Sequence, residues 1–535
     1  MSSTISTFLT SLSSTDKAVL AAGGVWIVYL LSRSNGGPAP LPPGPRPLPL
    51  VGNMFQIPQK DEWPVYEAWA KKYGRPRRDS LPVNTFVTLA VLGPITYLTM
   101  LGTPMIVLNS LKAIRELLEE RSATYSNRPL MAMKELCDLD WVLTYISGEP
   151  HRVRRATVQR YFSGPASVKH RHHQQEESRV LAANLLRRPD ALDDHIKQHT
   201  SSSILLGTYG YRVSGTDDPI VHEMERSFKQ AEELNGPLAF LIEIGPNLKN
   251  WPNLLSLSGF RKTVDEIKHV FNACRVDPFK RSRNMIDDGT AVPCFVSTSL
   301  DTISSETSLS PIEVEKKEEL IMDCASVMYA AATDSTSCTL RCFFALMALH
   351  PEVMRRAQEG IDNVTETERL PTFDDWERLP YITAIILEVL RYNTVTPLGL
   401  PHGVAKDDIY DGILIPKGSM ICANVWLIYH DPEIFPDPYS FKPERFMGEN
   451  GARGREVMNM TWGFGRRTCP GKQFAEAVLF ITVSTVITCF DIEPKRSSTG
   501  EAPTLTFYDG FIRRPKPFPM TIRPRSDKWA WLLDP

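Results

Sequence analysis

No block of lysine or arginine interrupts this sequence: 60 Lys and Arg stand against 62 Asp and Glu in 535 residues, a formal net charge of -2. Binding nucleic-acid phosphates needs a concentrated positive footprint, so that class is excluded. Cysteine is sparse as well. The nine residues are unevenly spaced with no repeated Cys-x-x-Cys, so neither a disulfide framework nor a structural zinc site is expected. Internal repeats of fixed period and low-complexity tracts are missing, which leaves no basis for a solenoid or a disordered chain. A mean hydropathy of -0.20 excludes many membrane spans. With 42% hydrophobic residues, a sizeable core is certain.

One apolar run stands out. Ala18 to Leu31 is unbroken by charge, preceded by Asp16 and Lys17 and followed by Ser32 and Arg33. It is short for a bilayer span of about 20 residues, so it reads either as an anchor helix or as the apolar region of a cleaved signal. Just downstream, Gly36 to Gly52 holds seven prolines and four glycines. Proline fixes φ and removes a donor, so this stretch is extended and stiff. It serves either as a spacer orienting a body on a membrane or as a plain linker.

Beyond residue 53 helical signals dominate a single large body. Ser310-Pro311-Ile312-Glu313 combines an N-cap serine, a proline at the first helical position and a capping-box glutamate. The next proline is Pro351, so a helix over about 311–349 is expected, nearly 60 Å long at about 1.5 Å per residue. Its centre, Met328 to Ala332, is small and apolar, which lets something large lie close. Thr333-Asp334-Ser335 follows, either a functional polar step or a solvent-facing turn. A second helix, about Pro380 to Tyr392, places Glu388 and Arg391 on one face. Such a pair is either surface decoration or, among Ile385, Ile386, Val389 and Leu390, a buried organiser. Asp411 to Ile421 reads as a hairpin-like strand region turning at Pro416-Lys417-Gly418. The class is therefore mainly α with a small β component.

The stretch Thr461-Trp462-Gly463-Phe464-Gly465-Arg466-Arg467-Thr468-Cys469-Pro470-Gly471 precedes an apolar helix over Phe474 to Ile487. Glycines permit positive φ and close approach of the backbone to a flat ligand, and a helix start offers N–H groups to a thiolate. A lone cysteine in such a loop is structural, reactive, or an axial ligand for an iron porphyrin.

Taken together, these segments resemble microsomal cytochromes P450 of the fungal type. The family's haem signature, Phe-x-x-Gly-x-Arg-x-Cys-x-Gly, falls on Trp462, Gly465, Arg467, Cys469 and Gly471, with tryptophan in place of phenylalanine. Glu388 and Arg391 match its Glu-x-x-Arg helix, Pro443-Glu444-Arg445-Phe446 its later arginine segment, and Ala331-Ala332-x-Asp334-Ser335-Thr336 its oxygen-activation segment. The likeness runs over 38–525 and is similar to the sterigmatocystin-oxidoreductase-like group.

The resemblance implies a cytochrome P450 fold with one N-terminal anchor helix: 1–35 anchor, 36–53 proline-rich hinge, 54–535 haem-thiolate catalytic domain. It implies haem b with Cys469 as the iron ligand, with Arg467, His402 and Arg154 on the propionates and Gly465 and Gly471 shaping the loop. Glu388, Arg391 and Arg445 form a structural triad. Asp334 and Ser335 relay protons, serine here replacing the usual threonine. In the Trp-x-x-x-Arg pattern the tryptophan position falls on Pro150, and His151 is the substitute donor. Arg75 to Gly93 has no counterpart in the family, which makes 75–93 retained intron sequence or a surface insertion.

The activity implied is insertion of one oxygen atom from O2 into a lipophilic substrate: terpenoid, steroid-like, polyketide or polycyclic aromatic. That fits fungal secondary metabolism or xenobiotic oxidation. Substrate contacts are expected from Met131 to Tyr145, the centre of the long helix, Thr394 to Leu400 and Tyr508 to Ile512. Electrons come from NADPH through a partner reductase, which docks near Arg453, Arg455, Arg466 and Lys472. The implied location is the endoplasmic-reticulum membrane, single-pass, with the body facing the cytosol, where the sequons at Asn363 and Asn459 stay unmodified. Rival readings are an oxygen-independent haem-thiolate isomerase or dehydratase, and a non-catalytic ligand-binding protein.

Overall fold

The computed structural model describes residues 39–49, 51–58, 62–73, 93–129, 131–233, 260–449, 451–508 and 510–529, together with Ile242. The apolar run over 18–31 and the segment 75–92 lie outside the described residues.

Long helices carry the fold: α1 Glu62–Tyr73, α2 Gly148–Phe162, α3 Arg171–Arg187, α4 Leu192–Tyr209, α5 Pro219–Glu233, α6 Phe260–Asp287, α7 Phe295–Ser305, α8 Pro311–Leu349, α9 Pro351–Thr365, α10 Pro380–Tyr392 and α11 Lys472–Cys489. Helix α8 begins where its signals place it, with the Ser310 side chain accepting from Glu313 N–H and the Glu313 carboxylate accepting from Ser310 N–H. Its second half, from Thr336 onward, is almost entirely buried, so the helix runs through the core. Helix α11 is apolar and long enough to cross a bilayer, but most of it is buried against the other helices, as a core helix should be. Two of its hydroxyls bond inside the helix, Ser484 donating to the Phe480 carbonyl and Thr488 to the Ser484 carbonyl, each at 2.7 Å, while Thr482 and Thr485 meet His199 and Ser178 of neighbouring helices.

The β component is small. Strands β1 Ile95–Met100, β2 Thr103–Leu108, β3 His402–Gly403 and β6 Met420–Ala423 form one sheet in the order β1-β2-β6-β3. Strands β4 Asp408–Tyr410 and β5 Ile413–Ile415 make a second sheet, and β7 Phe490–Pro494 and β8 Met520–Pro524 a third. The hairpin differs from its expected place. It turns at Asp411-Gly412, where both residues hold positive φ (48° and 75°), as a two-residue turn demands. The Pro416–Gly418 turn instead leads from β5 into β6, which pairs with β2 and β3 in another sheet.

The proline-rich stretch is part of the body. Tyr97 N–H donates to the Pro43 carbonyl at 2.9 Å, and Leu414 N–H to the Pro40 carbonyl at 2.8 Å. A Cβ on Gly44 would lie 1.9 Å from the Tyr97 carbonyl oxygen, so only glycine allows this approach.

Behind the cysteine loop, Glu388 and Arg391 are both fully buried. Arg391 closes on the carboxylate through two bonds, 2.7 and 2.9 Å, and Arg445 Nε joins it at 3.1 Å. Remaining Arg391 hydrogens go to the Tyr429, Pro438 and Ser440 carbonyls. The pair is a buried organiser that pins the segment 429–445 to α10.

Candidate functional site

Cys469 sits between a loop and α11. Its N–H bonds the Trp462 carbonyl at 2.6 Å, closing the loop on itself. Gly463 and Gly465 take φ of 82° and 49°, the left-handed conformation that glycine adopts without strain. A Cβ on Gly465 would fall 2.5 Å from the Leu118 carbonyl oxygen, so the loop lies directly on the segment 115–120. Cys469 is the single solvent-reachable cysteine of the nine; the other eight are buried. Its sulfur is nevertheless densely surrounded by protein. Burial raises the thiol's pKa, while the Gly471 N–H and the Arg155 guanidinium act in the opposite direction by favouring the thiolate.

Beside the thiol, Arg155 belongs to a group of basic side chains. Arg467 Nε donates to the Ser126 carbonyl (2.7 Å) and Nη2 to the Ile146 carbonyl (2.8 Å), while its Nη1 is buried with no partner. Arg128 is held by the Thr144, Leu400 and Pro401 carbonyls. His402 Nδ1 lies 2.6 Å from the Tyr125 carbonyl oxygen, so this nitrogen carries the proton. Arg155 donates to the Thr468 carbonyl at 2.6 Å.

These groups strain against one another. Burial, then the charge of Arg467, lowers Arg128 to about 9. Burial and Arg155 bring Arg467 to about 10. Burial, then Arg128 and Arg467, takes His402 to about 3, while burial with Arg467, Arg155 and Arg128 takes His151 to about 4. Among the described residues no carboxylate lies within ion-pair distance of Arg128, Arg155 or Arg467. A cluster of desolvated cations with one orphaned N–H is made for an anionic group. With a thiol beside it, this donor set fits haem: sulfur for the iron, guanidinium groups for two propionates.

Arg154 is not part of the cluster. Its guanidinium reaches Asp323 on α8 at 2.6 Å, where Arg275 of α6 also binds. Successive residues of a helix diverge by about 100°, so when Arg154 faces Asp323 its neighbour Arg155 faces the loop. Counting back four residues from Arg155 gives His151, and from Arg154 it gives Pro150. Arg128 carried no spacing signal, because its partners come from 144 and 400–401.

On α8, Ala331 is exposed although Met328 and Tyr329 before it and Thr336 after it are buried, so the helix is open at its centre. Ser335 Oγ donates to the Ala331 carbonyl at 2.9 Å. Asp334 is bound by Arg514, Nε to Oδ1 at 3.0 Å and Nη2 to Oδ2 at 2.7 Å, a partner the sequence did not announce. Of the basic residues expected at a docking face, Arg455 spends its Nη1 on the Phe446 and Gly448 carbonyls and Lys472 its ammonium on Asn459, while Arg453 and Arg466 are exposed.

The family model described as Cytochrome P450 matches residues 42–522. Cytochrome P450 monooxygenase 208 of Postia placenta is 34% identical over 521 residues, covering 96% of this chain and 95% of the relative. Cytochrome P450 monooxygenase COX1 of Coprinopsis cinerea is 30% identical, covering 98% and 100%. Cytochrome P450 monooxygenase claR of Ampulloclitocybe clavipes is 33% identical, covering 94% and 90%.

Proposed function

The chain belongs to the cytochrome P450 family, as a monooxygenase and thus an oxidoreductase, and from that premise we propose the roles of its residues, its substrate class and its setting. Haem bound through a cysteine thiolate supplies the oxygen-activating chemistry, since thiolate donation favours O–O cleavage. Cys469 is the iron ligand. The Gly471 N–H and Arg155 hold its sulfur as thiolate, and the Glu388–Arg391–Arg445 lattice fixes the segment leading to the loop. Arg467 and His402, with Arg128, Arg155 and His151, bind the two propionates. Arg154 braces α2 against α8 through Asp323. Asp334 and Ser335 move protons to the reacting oxygen. The observation that carries this reading is the buried, unpartnered Arg467 Nη1 in a basic group that reaches the thiol through Arg155.

The substrate is lipophilic, of terpenoid, steroid-like, polyketide or polycyclic aromatic type, and receives one oxygen atom by hydroxylation or epoxidation. Support comes from the walls expected to touch it: Met133 and Leu139 are buried in an apolar cluster, and Tyr508 and Phe511 are exposed. The setting is secondary metabolism or xenobiotic oxidation, in the manner of the sterigmatocystin-oxidoreductase-like group. The segment 1–35 anchors the protein in the endoplasmic-reticulum membrane with the body in the cytosol, and an NADPH-dependent reductase docks near Arg453 and Arg466. The segment 75–93 is retained intron sequence or a surface insertion.

The test is turnover of a lipophilic panel by full-length protein with a fungal reductase. Product carrying one 18O atom from 18O2, formed only with NADPH, is expected. Product formed without oxygen or NADPH would favour an isomerase or dehydratase instead.

A further inference from the structure

Resting on the reading of Arg467 and His402 as holders of the haem propionates, the backbone behind those two side chains leads further. His402 Nδ1 donates to the Tyr125 carbonyl at 2.6 Å and Arg467 Nε to the Ser126 carbonyl at 2.7 Å, so two adjacent carbonyls set the direction of both donors. The strip that carries them, 124–128, lies along the chain from 402 to 405. Gly403 N–H bonds the Asn127 carbonyl at 2.6 Å, and Ala405 N–H the Thr124 carbonyl at 2.9 Å. A Cβ on Gly403 would come within 2.8 Å of the Arg128 carbonyl, so the two stretches touch directly. Moving the strip therefore moves the partners of His402 and Arg467 together.

One carboxylate pins the strip from a separate element. Asp408 stands on β4, which pairs with β5 in a sheet apart from the one that contains His402. Its Oδ2 accepts from the Tyr125 hydroxyl at 2.8 Å and from Arg121 Nη1 at 2.9 Å, one helical turn earlier. Burial would raise the Asp408 carboxyl, but the bonds from Arg121 and Tyr125 hold it below its usual range, so the acceptor is charged. Charge-assisted bonds of this kind are about twice as strong as neutral ones. The Tyr125 ring is fully buried. One end of this residue is thus fixed to Asp408, and the other presents the carbonyl that orients His402.

We propose that Asp408 is a positioning residue for the haem: through Tyr125 it holds the carbonyls of Tyr125 and Ser126 where they aim His402 and Arg467 at the propionates. Asp408 acts only through the strip. Partners behind the direct ligands of a metal group govern both its retention and its electronic tuning. Propionate charge that is poorly matched by its donors favours ferric over ferrous iron, so loosening the strip lowers the reduction potential as well as the hold on haem.

The holoenzyme tests this through Tyr125→Phe, Asp408→Ala and Asp408→Asn, with Arg467→Gln for the reading it rests on and Tyr410→Phe as control. Y410F removes a comparable bond from the same strand, Tyr410 hydroxyl to Glu116 at 2.6 Å, which does not reach 124–128. The readouts are the rate of haem transfer to apomyoglobin, the reduction potential and the melting temperature. Y125F and D408A are expected to release haem several-fold faster and to shift the potential negative, in the direction of R467Q but less far. D408N keeps an acceptor for Tyr125 and should fall between D408A and the parent, while Y410F lowers the melting temperature without moving the potential. If Y125F and D408A melt lower yet keep the parent's release rate and potential while R467Q changes both, the strip is packing alone and the proposal is overturned. It is equally overturned if Y410F moves the potential as far as Y125F does, because the effect then belongs to the whole hairpin. If R467Q changes neither quantity, the propionate reading falls and takes the proposal with it. Should Y125F or D408A not retain haem, D408N against the parent decides on the same readouts.

Discussion

Arg155 donates to the carbonyl oxygen of Thr468 at 2.6 Å, one residue before the thiol it faces. Its neighbour Arg154 turns away to Asp323, which is 1% exposed and shared with Arg275. Two adjacent arginines thus meet different parts of the fold: one faces the cysteine loop, the other joins α2, α6 and α8.

The two separate experimentally. Arg155→Gln is expected to lower haem content several-fold while leaving the melting temperature of the remaining holoprotein close to the parent's. Arg154→Ala should leave haem binding largely intact but lower thermal stability, because Asp323 keeps a buried charge with one partner fewer. Absorbance at the Soret band per mole of protein and thermal melts read the two effects.

Glu388, fully buried, accepts from the fully buried Arg391, from Arg445 and from the Lys442 N–H. Removing it leaves a fully buried guanidinium uncompensated, a change that costs about 3–5 kcal/mol in such sites. Glu388→Ala should therefore yield little soluble protein, and what survives should melt far below the parent. Glu388→Gln, which keeps part of the hydrogen bonding, is expected to be milder in the same melts.

Much of this frame is legible in the sequence because its determinants are local. Ser310-Pro311-Ile312-Glu313 is a helix start in four consecutive residues, and Glu388 and Arg391 share a face by spacing alone. What escapes is what distant chain supplies. Arg128 meets Arg467 and His402 only after folding, and Arg514 reaches Asp334 across 180 residues. The choice between Arg154 and Arg155 turns on about 100° of helix rotation, set by Asp323. Pro416-Lys417-Gly418 and Asp411-Gly412 both carry turn chemistry, and only pairing of β6 with β2 decides which one closes a hairpin. The proline-rich stretch gave no sign that Pro43 would accept from Tyr97.

His199 is buried, with Nδ1 3.0 Å from the Glu177 carbonyl and Nε2 2.8 Å from Thr482 Oγ1, and burial lowers its pKa to about 4. An unfolded histidine titrates near 6.5, so between about pH 6.5 and 4 the unfolded chain binds the extra proton and the fold loses stability as pH falls. His199→Gln should flatten the decline in melting temperature between pH 7 and pH 5. A decline as steep as the parent's would assign the acid sensitivity to other groups.

The most direct test of the central claim, that Cys469 ligates haem as a thiolate, is the reduced carbon-monoxide difference spectrum. It should be recorded on the full chain, on a form lacking 75–93, and on Cys469→Ala in whichever of these binds haem. The expected result is a strongly red-shifted Soret band that disappears in the alanine variant. A red-shifted band that survives the loss of Cys469, or its absence from haem-loaded protein of both chain lengths, would contradict the assignment.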